Sequence, residues 1–397
     1  MVALTQTEQE MWNTVNIESE HAMSETEINE KYINGEQRIV TEMNREKLPN
    51  FYDSLKKDGY MEVKPFYQRR RRWDAKRQSR LIESFIMNIP VPPIFIYEKR
   101  YNQYEIMDGQ QRVCAIKDFY DNNLELCGLE QWPELNGRKY MTLPSKIKAG
   151  IDRRAISSIV LLKESTSNEE DALKLRQTVF ERLNTGGVTL ERQEIRNALC
   201  KTKLNALLFD LAKDSNFRTA WGLPLYSEEE DVRNDLPIYE NKFFKKMGEV
   251  ELVLRFFALR NIDHYRKGMQ HFLDSYMFKS ERFTEEDIKI LRDKFLRTLF
   301  IAHEIYGIHM FKPYDVKKEE WSTKAQKGYY DCIMVGLCNY IGYEYRLLEK
   351  KELILQKTIE LFKNNPNGTF TGRGNTKDDI KNRIHLYSSM LFEIIGE

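Results

Sequence analysis

Hydrophobic and polar positions follow two different patterns along the chain. Short apolar runs bounded by turn residues, at 94–97, 104–107 and 156–162, predict strands, and the first two are spaced as a hairpin. The stretch 74–87 carries an apolar stripe opposite a basic face, which predicts an amphipathic helix. After residue 168 the pattern is largely helical. The sequence therefore predicts an α+β protein with a mixed α/β front half and an all-helical back half.

The same patterns suggest where the parts of the chain begin and end. We expect an acidic flexible arm at 1–34, with a short docked helix as the alternative interpretation of its polar start. A mixed α/β domain follows at 35–200, and a helical domain at 201–397. Within these parts, apolar spacing predicts further helices at 42–57 and 190–212.

Composition narrows the class of protein. The chain has 397 residues, 41% of them hydrophobic and 31% charged, with a mean hydropathy of -0.62. No apolar run approaches the length of a membrane span, and the first residues lack the basic and apolar regions of a secretory signal. Five widely spaced cysteines are typical of reduced thiols. We therefore expect a cytoplasmic protein that does not contact a membrane.

The net charge of +1 hides a strong asymmetry. Residues 1–30 carry seven acidic side chains and no Lys or Arg, whereas 63–80 carry eight basic side chains and one acidic one. A basic block of this kind predicts a surface for phosphate or nucleic acid, although charge alone fits a solvated helix face equally well. The residues assigned to nucleic-acid binding are Arg70, Arg71, Arg72, Lys76 and Arg77.

The segment with the clearest chemistry is Asp108-Gly-Gln-Gln-Arg112, which lies between a predicted strand and a predicted helix. The first-turn N–H groups of a helix and the positive end of its dipole bind phosphate. Gly109 allows close backbone approach, and Arg112 can clamp phosphate oxygens. Asp108 is placed to hold a metal-bound water, a ribose hydroxyl or Arg112 itself. A purely structural turn is the competing interpretation.

Two other segments support a ligand site. Aromatic residues alternate with arginines in Phe66-Tyr-Gln-Arg-Arg-Arg-Arg-Trp73, a composition suited to phosphate and stacked bases. The turn Asn184-Thr-Gly-Gly187 joins two predicted helices and exposes backbone donors. No Walker-type loop is present, and the spacing of the histidines and cysteines predicts no metal site held by protein side chains.

Five motifs occur together in a specific order. They are Gln68-Arg69 with Trp73, Leu81-Ile-Glu-Ser-Phe85, Ile89-Pro-Val-Pro-Pro-Ile-Phe95, Asp108-Gly-Gln-Gln-Arg112, and Phe180-Glu-Arg-Leu-Asn-Thr-Gly-Gly187 with Gln193-Glu-Ile-Arg-Asn197. In this order they resemble the N-terminal domain family of GmrSD-type restriction endonucleases, the DGQQR family, which is similar to the ParB/sulfiredoxin fold. The resemblance covers roughly residues 35–200.

The resemblance implies a nucleotide-binding domain, often an NTPase, in a prokaryotic system that restricts phage or modified DNA. Carried onto this sequence, it assigns catalysis to Asp108, Gln110 and Arg112. It assigns nucleotide binding to Gln68, Arg69, Trp73, Gly109, Gln111, Arg112, Asn184, Thr185, Gly186 and Gly187. The expected cofactor is a nucleoside triphosphate with Mg²⁺, and DNA is the expected partner.

Three hypotheses follow from these residues. The first is an NTPase-type component in which water held by Asp108 or Gln110 attacks the γ-phosphate. The second is a non-hydrolysing ParB-like switch that binds DNA under nucleotide control, and the third is a stand-alone DNA nickase. The His-x-x-Pro motif of a His-Asn-His nuclease is missing, since His309 and Pro313 have the wrong spacing. We therefore expect cleavage to come from a nuclease partner subunit, and dimerisation of the chain follows from the ParB-like resemblance.

Overall fold

A computed structural model gives the arrangement of most of the chain. The described residues are 4–12, 24–26, 29–30, 41–62, 73–162, 178–179, 182, 191–200, 202–231, 236–365, 368–372 and 374–396. The chain forms two compact units, one made of Met1–Glu18 with Glu191–Glu397 and the other of Ser19–Leu190. The two units meet between Leu190 and Glu191, earlier in the chain than the boundary at 200/201 that the sequence predicts. The domain limits drawn from the sequence remain predictions.

The regular elements, in chain order, begin with a short helix and continue through the mixed unit. They are α1 (Gln6–Glu10), β1 (Thr41–Lys47), α2 (Leu48–Leu55), β2 (Met61–Glu62), α3 (Ala75–Met87), β3 (Ile94–Arg100), β4 (Gln103–Asp108), α4 (Gln110–Tyr120), α5 (Ser145–Asp152) and β5 (Ala155–Leu161). Strands and helices are therefore interspersed in the Ser19–Leu190 unit.

The strands of this unit form one mixed sheet in the order β1-β5-β3-β4-β2. Strands β3 and β4 are the expected antiparallel hairpin, β3 runs parallel to β5, and β1 runs antiparallel to β5 at the edge. Residues paired across strands point to the same face of a sheet. Ile94, Ile96, Ile106, Ile156 and Val160 are buried in the core on the face that the helices cover.

Helix α3 has clear start and stop signals. The Asp74 side chain caps the helix by accepting a hydrogen bond from the Arg77 N–H at 2.7 Å. Leu81 and Phe85 face the core, and the helix ends at Asn88 in the left-handed conformation. This helix was predicted for 74–87 and is confirmed.

One prediction for the front half is wrong. The stretch expected as a helix over 42–57 divides into strand β1 and helix α2. Seven residues of β1 pair in register with β5, from Thr41 opposite Leu161 to Lys47 opposite Ala155. The helical spacing of Leu48, Phe51 and Leu55 is real but begins only after the strand, because pairing with a distant strand overrides local preference.

In the part of the second unit that the structure describes, the only strands are two of two residues each, which pair as a hairpin. Its elements are α6 (Arg192–Leu199), α7 (Lys203–Leu211), α8 (Ser215–Ala220), α9 (Lys242–Lys245), α10 (Gly248–Leu259), α11 (Gly268–Lys279), α12 (Glu285–Tyr306), β6 (Tyr314–Asp315), β7 (Glu320–Trp321), α13 (Lys327–Cys338), α14 (Glu344–Glu349), α15 (Lys351–Asn364) and α16 (Lys377–Gly396). The single helix predicted for 190–212 is therefore two helices. The break lies at Cys200, whose backbone is non-helical, and Thr202 caps the second helix.

Helix α1 packs within the helical unit. Glu8 is fully buried, and its carboxylate accepts hydrogen bonds from Arg260 at 3.0 Å and from the Tyr276 hydroxyl at 2.8 Å. Trp12 donates to the Asn261 side chain at 3.1 Å and stacks on His264 with ring centroids 4.8 Å apart. For residues 4–12 the structure therefore has the short docked helix, the second of the two sequence interpretations.

The α+β class predicted from the sequence is confirmed: the five-stranded sheet is formed by the first half of the chain, and the second half of the sequence is mostly helical. All five cysteines are free thiols. Among the described residues, no helix combines the length and the apolar character needed to cross a membrane.

Candidate functional site

The candidate site is the turn at which β4 passes into α4. Asp108 is the last residue of the strand, Gly109 is the N-cap, and Gln110 is the first residue of the helix. Gly109 has φ +91°, a backbone conformation that side chains with a Cβ rarely adopt. A Cβ at this position would lie 2.7 Å from Ile94 Cγ2 and 2.8 Å from Arg112 Nη2. The glycine is thus required both by its backbone angle and by close packing.

An ion pair closes across the turn. Arg112 Nη2 donates to Asp108 Oδ2 at 2.9 Å and to the Pro93 carbonyl at 3.1 Å. The Arg112 side chain is 15% exposed and that of Asp108 is 35% exposed, so the carboxylate is the more accessible partner. Of the three roles considered for Asp108, the structure has the third, in which it holds Arg112 itself.

The Arg112 guanidinium is not fully satisfied. Its Nε is buried and has no hydrogen-bond partner among the described residues. A buried donor left without a partner costs free energy, roughly 1–3 kcal/mol. The guanidinium also lies beside the N-terminus of α4, where the helix dipole is positive. This combination favours an anionic group at the turn.

The residue that precedes the N-cap of helix α3, Trp73, contacts the same turn. The Trp73 backbone N–H donates to the Gln111 side-chain oxygen at 2.9 Å, and the Trp73 ring packs against the hydrophobic core. Two residues that the sequence assigned to one ligand, separated by 38 positions, are thereby in direct contact. Gln111 serves here as an acceptor that fixes the Trp73 segment to the turn.

The basic residues at the start of α3 are exposed. The aliphatic part of the Lys76 side chain packs closely against Gly128: a Cβ added to Gly128 would lie 2.9 Å from Lys76 Cγ. The Arg77 backbone is held by the Asp74 cap, and its side chain lies on the surface. Both cations are thus presented on an ordered helix. The remaining predicted site residues lie outside the described residues: Gln68, Arg69, Arg70, Arg71, Arg72, Asn184, Thr185, Gly186 and Gly187.

Glu83 on α3 is a structural residue that motif reasoning did not single out. Its side chain is buried and accepts hydrogen bonds from the backbone N–H groups of Gln131 at 2.8 Å, Trp132 at 3.0 Å and Glu130 at 3.3 Å. It therefore anchors the loop that follows α4. An acidic residue on the apolar face of a predicted helix is the signal that could have found it.

The far end of α4 is held by a carboxylate and two tyrosines. Asp152 accepts from the Tyr120 hydroxyl at 2.9 Å and from the Tyr140 hydroxyl at 3.0 Å. Burial, reinforced by the Asp152 carboxylate, raises the pKa of both tyrosines well above the ordinary value. Both phenols therefore stay protonated at physiological pH and donate to Asp152. These contacts orient the helix whose opposite end carries Arg112.

The last of the five motifs has a structural role in the part that is described. Arg196 on α6 is buried and donates to Asp274 at 2.6 Å, to Gln193 at 3.0 Å and to Glu251 at 3.1 Å. Gln193 in turn donates to Asn197 at 2.8 Å. This network belongs to the core of the helical unit, which explains its residue types without a ligand.

A comparison with known protein families gives one match. Residues 48–201 match the family model described as "GmrSD restriction endonuclease, N-terminal domain". The matched range includes the Asp108–Arg112 turn and confirms the resemblance seen in the sequence motifs. Residues 48–201 therefore belong to this domain family, and the domain identifies a restriction-system component. No curated protein and no solved structure gives a significant match to the chain.

Proposed function

We propose that the chain is the nucleotide-binding, NTPase-type component of its restriction system and that phosphates bind at the Asp108–Arg112 turn. The observation that carries this proposal is the Arg112 guanidinium, which is fixed beside a glycine N-cap and keeps a buried donor without a partner. Nucleotide phosphates would supply acceptors both for this guanidinium and for the positive end of α4.

Nucleotide binding would require an exchange of partners at Arg112. In the structure its Nη2 is shared between Asp108 and the Pro93 carbonyl. A phosphate oxygen can compete for this donor, because charge-assisted hydrogen bonds to phosphate are strong and often bidentate. Release of Asp108 from Arg112 would then leave its carboxylate available to position the attacking water. Gln110 is the other candidate for that role.

A divalent ion fits the proposal through Asp108. Mg²⁺ prefers oxygen ligands and is commonly held by one or two carboxylates together with substrate phosphates. Asp108 Oδ1 makes no hydrogen bond among the described residues, and the side chain reaches the surface. Bound there, Mg²⁺ would offset the charge of the phosphates. The protein's own contribution is to place Asp108 and Arg112 on either side of Gly109.

DNA is the proposed macromolecular partner. Lys76 and Arg77 are exposed on α3, directly after the basic segment 63–72. Basic side chains on one helix bind the phosphate backbone without reading sequence, and such binding weakens steeply with salt. Cleavage by a separate nuclease subunit and dimerisation remain further parts of the proposal.

The ion pair also favours the second candidate, a ParB-like switch that binds nucleotide without hydrolysing it. The Asp108 carboxylate is engaged by Arg112 and so has its charge already compensated. If this pair persists when nucleotide is bound, no carboxylate at the turn acts on water. Nucleotide would then change only the conformation and the DNA affinity.

The test is binding and hydrolysis of ATP, GTP, CTP and UTP, with and without DNA, by the wild-type protein, Arg112→Ala and Arg138→Ala. Arg138 is the matched control, since it is an exposed arginine of the same unit whose side chain donates to the Thr142 carbonyl and not to any residue of the turn that the structure describes. We expect Arg112→Ala to weaken nucleotide binding at least about tenfold, the loss of a charge-assisted bond.

The outcomes separate the two candidates. Turnover that is lost in Arg112→Ala and retained in Arg138→Ala supports the NTPase. Binding without turnover, again dependent on Arg112, supports the switch. Absence of any nucleotide response in the wild-type protein would contradict both and leave the turn with a structural role.

A further inference from the structure

A cavity of about 280 Å³ lies in the Ser19–Leu190 unit, away from the turn. It is placed between helix α2 and the covered face of the sheet, where β1 pairs with β5. Its volume is at the lower end of the range for small-molecule sites. Its lining reaches the turn most nearly at Ile96 on β3, which pairs with Ile106, two residues before Asp108.

Polar side chains lie on the face of the sheet that the helices cover, where side chains are ordinarily apolar. Glu46 is paired with the core residue Ile156, and Asn44 is paired with Ser158, so Glu46, Asn44 and Ser158 share the covered face. All three line the cavity. Glu46 and Ser158 are half-buried and Asn44 is exposed, and their side chains make no hydrogen bond to any described residue.

Two charged residues line the cavity: Glu46, which is half-buried, and Arg45, which is exposed. Burial raises its pKa above the ordinary value, and the nearby Lys57 charge opposes this shift. The Glu46 charge in turn contributes, after burial, to a raised pKa of the neighbouring Tyr60. A partly buried carboxylate without a hydrogen-bond donor is costly to keep, which favours a ligand that supplies one.

Aromatic rings form the other walls. Tyr60 and Tyr104 meet edge to face with ring centroids 5.2 Å apart, and the buried ring of Phe51 projects from α2. Such a lining receives a flat ring by stacking or edge contact. The cavity therefore combines aromatic walls with acceptors: the Glu46 carboxylate, the Asn44 amide oxygen and the Ser158 hydroxyl.

We propose that this cavity is a second ligand site, for a small planar ring that carries adjacent N–H donors, such as an arylamidine or an amino-substituted nitrogen heterocycle. Two parallel N–H groups match the two oxygens of a carboxylate. The ring fills the space between the tyrosines, and Asn44 with Ser158 orients its edge.

Benzamidine is the probe, because it is a flat ring with two parallel N–H donor groups. Its binding to the full-length protein is measured by ligand-observed NMR and calorimetry, with benzoate as a ligand of the same shape and opposite charge. We expect benzamidine to bind with a dissociation constant near or below about 1 mM and benzoate not to bind. Glu46→Gln should weaken benzamidine binding at least about tenfold.

Glu42→Gln is the matched control, since Glu42 lies on the same strand and face but is exposed and does not line the cavity. Arg112→Ala separates this site from the proposed phosphate site. Retained benzamidine binding in both variants, with loss in a folded Glu46→Gln protein, supports the proposal. Equal binding of benzamidine and benzoate, an unchanged affinity in Glu46→Gln, or no benzamidine binding by the wild-type protein would each overturn it.

Discussion

Replacement of Gly109 by alanine tests whether close packing determines the geometry of the turn. The new Cβ would lie 2.7 Å from Ile94 Cγ2 and 2.8 Å from Arg112 Nη2. The Arg112 contact can be relieved by movement of a long side chain, at the expense of its bond to Asp108. The Ile94 contact cannot be relieved in this way, because Ile94 is fully buried in the core.

The expected change in the free energy of unfolding combines two destabilising effects and one stabilising effect. A non-glycine residue with positive φ costs about 1–2 kcal/mol, and overpacking a well-filled core costs about 1–3 kcal/mol. Alanine has less conformational entropy than glycine in the unfolded chain, which stabilises the folded protein by about 0.4–1 kcal/mol. We therefore expect Gly109→Ala to reduce the free energy of unfolding by about 2–4 kcal/mol. Displacement of Arg112 should also weaken any nucleotide binding.

Gly137→Ala isolates the cost of the backbone angle. Gly137 has φ +81°, close to that of Gly109, but an added Cβ there meets nothing within 4 Å. Urea unfolding of both variants is followed by tryptophan fluorescence, and the midpoints are compared when the two curves have the same m value, the slope of the free energy of unfolding against urea concentration. We expect Gly109→Ala to be the more destabilised by about 1–3 kcal/mol, the overpacking cost alone. Equal midpoints for the two variants would refute the argument that the turn is closely packed.

Two further predictions concern helix α1. Glu8→Ala should destabilise the helical unit by about 3–5 kcal/mol, because it removes the carboxylate that pairs with the buried Arg260 charge. The exposed Glu10→Ala is its control, and similar melting temperatures for the two variants would contradict this. Burial lowers the pKa of His264 in the folded protein, so the unfolded chain binds its proton more readily. The His264 contribution to stability should therefore be constant above about pH 7 and fall below about pH 6.5. Burial lowers the pKa of His309 too, so a His264→Phe protein, with the Trp12 stack retained, should show a smaller pH-dependent step than the wild-type protein.

Local patterns were sufficient for much of the front half. The apolar stripe of α3 and the strand-glycine-helix order around Gly109 depend on residues close in sequence, and both were predicted where they occur. Strand β1 was not, because its conformation comes from pairing with β5, more than a hundred residues away. Helical spacing in the following residues masked it.

The candidate site shows the same division. Residue types and order at 108–112 were enough to predict a phosphate-binding turn, and five motifs in order were needed to identify the family. The partner of each side chain was not determined there: that Asp108 holds Arg112, and that Gln111 holds the Trp73 backbone, depends on how strands and helices pack. The cavity at Glu46 was missed for the same reason, since an acidic residue on an edge strand is ordinarily solvated.

The sequence by itself determined the α+β class, the hairpin, the strand-glycine-helix turn and the domain family, because periodicity and motif order are local properties of the chain. Only the tertiary structure decided which charges are paired and which are left facing a cavity. Glu8 and Glu46 are both glutamates in polar stretches of sequence, yet one is neutralised by Arg260 and the other lines an open pocket. The difference arises from burial and from partners brought close by folding, which no local pattern encodes.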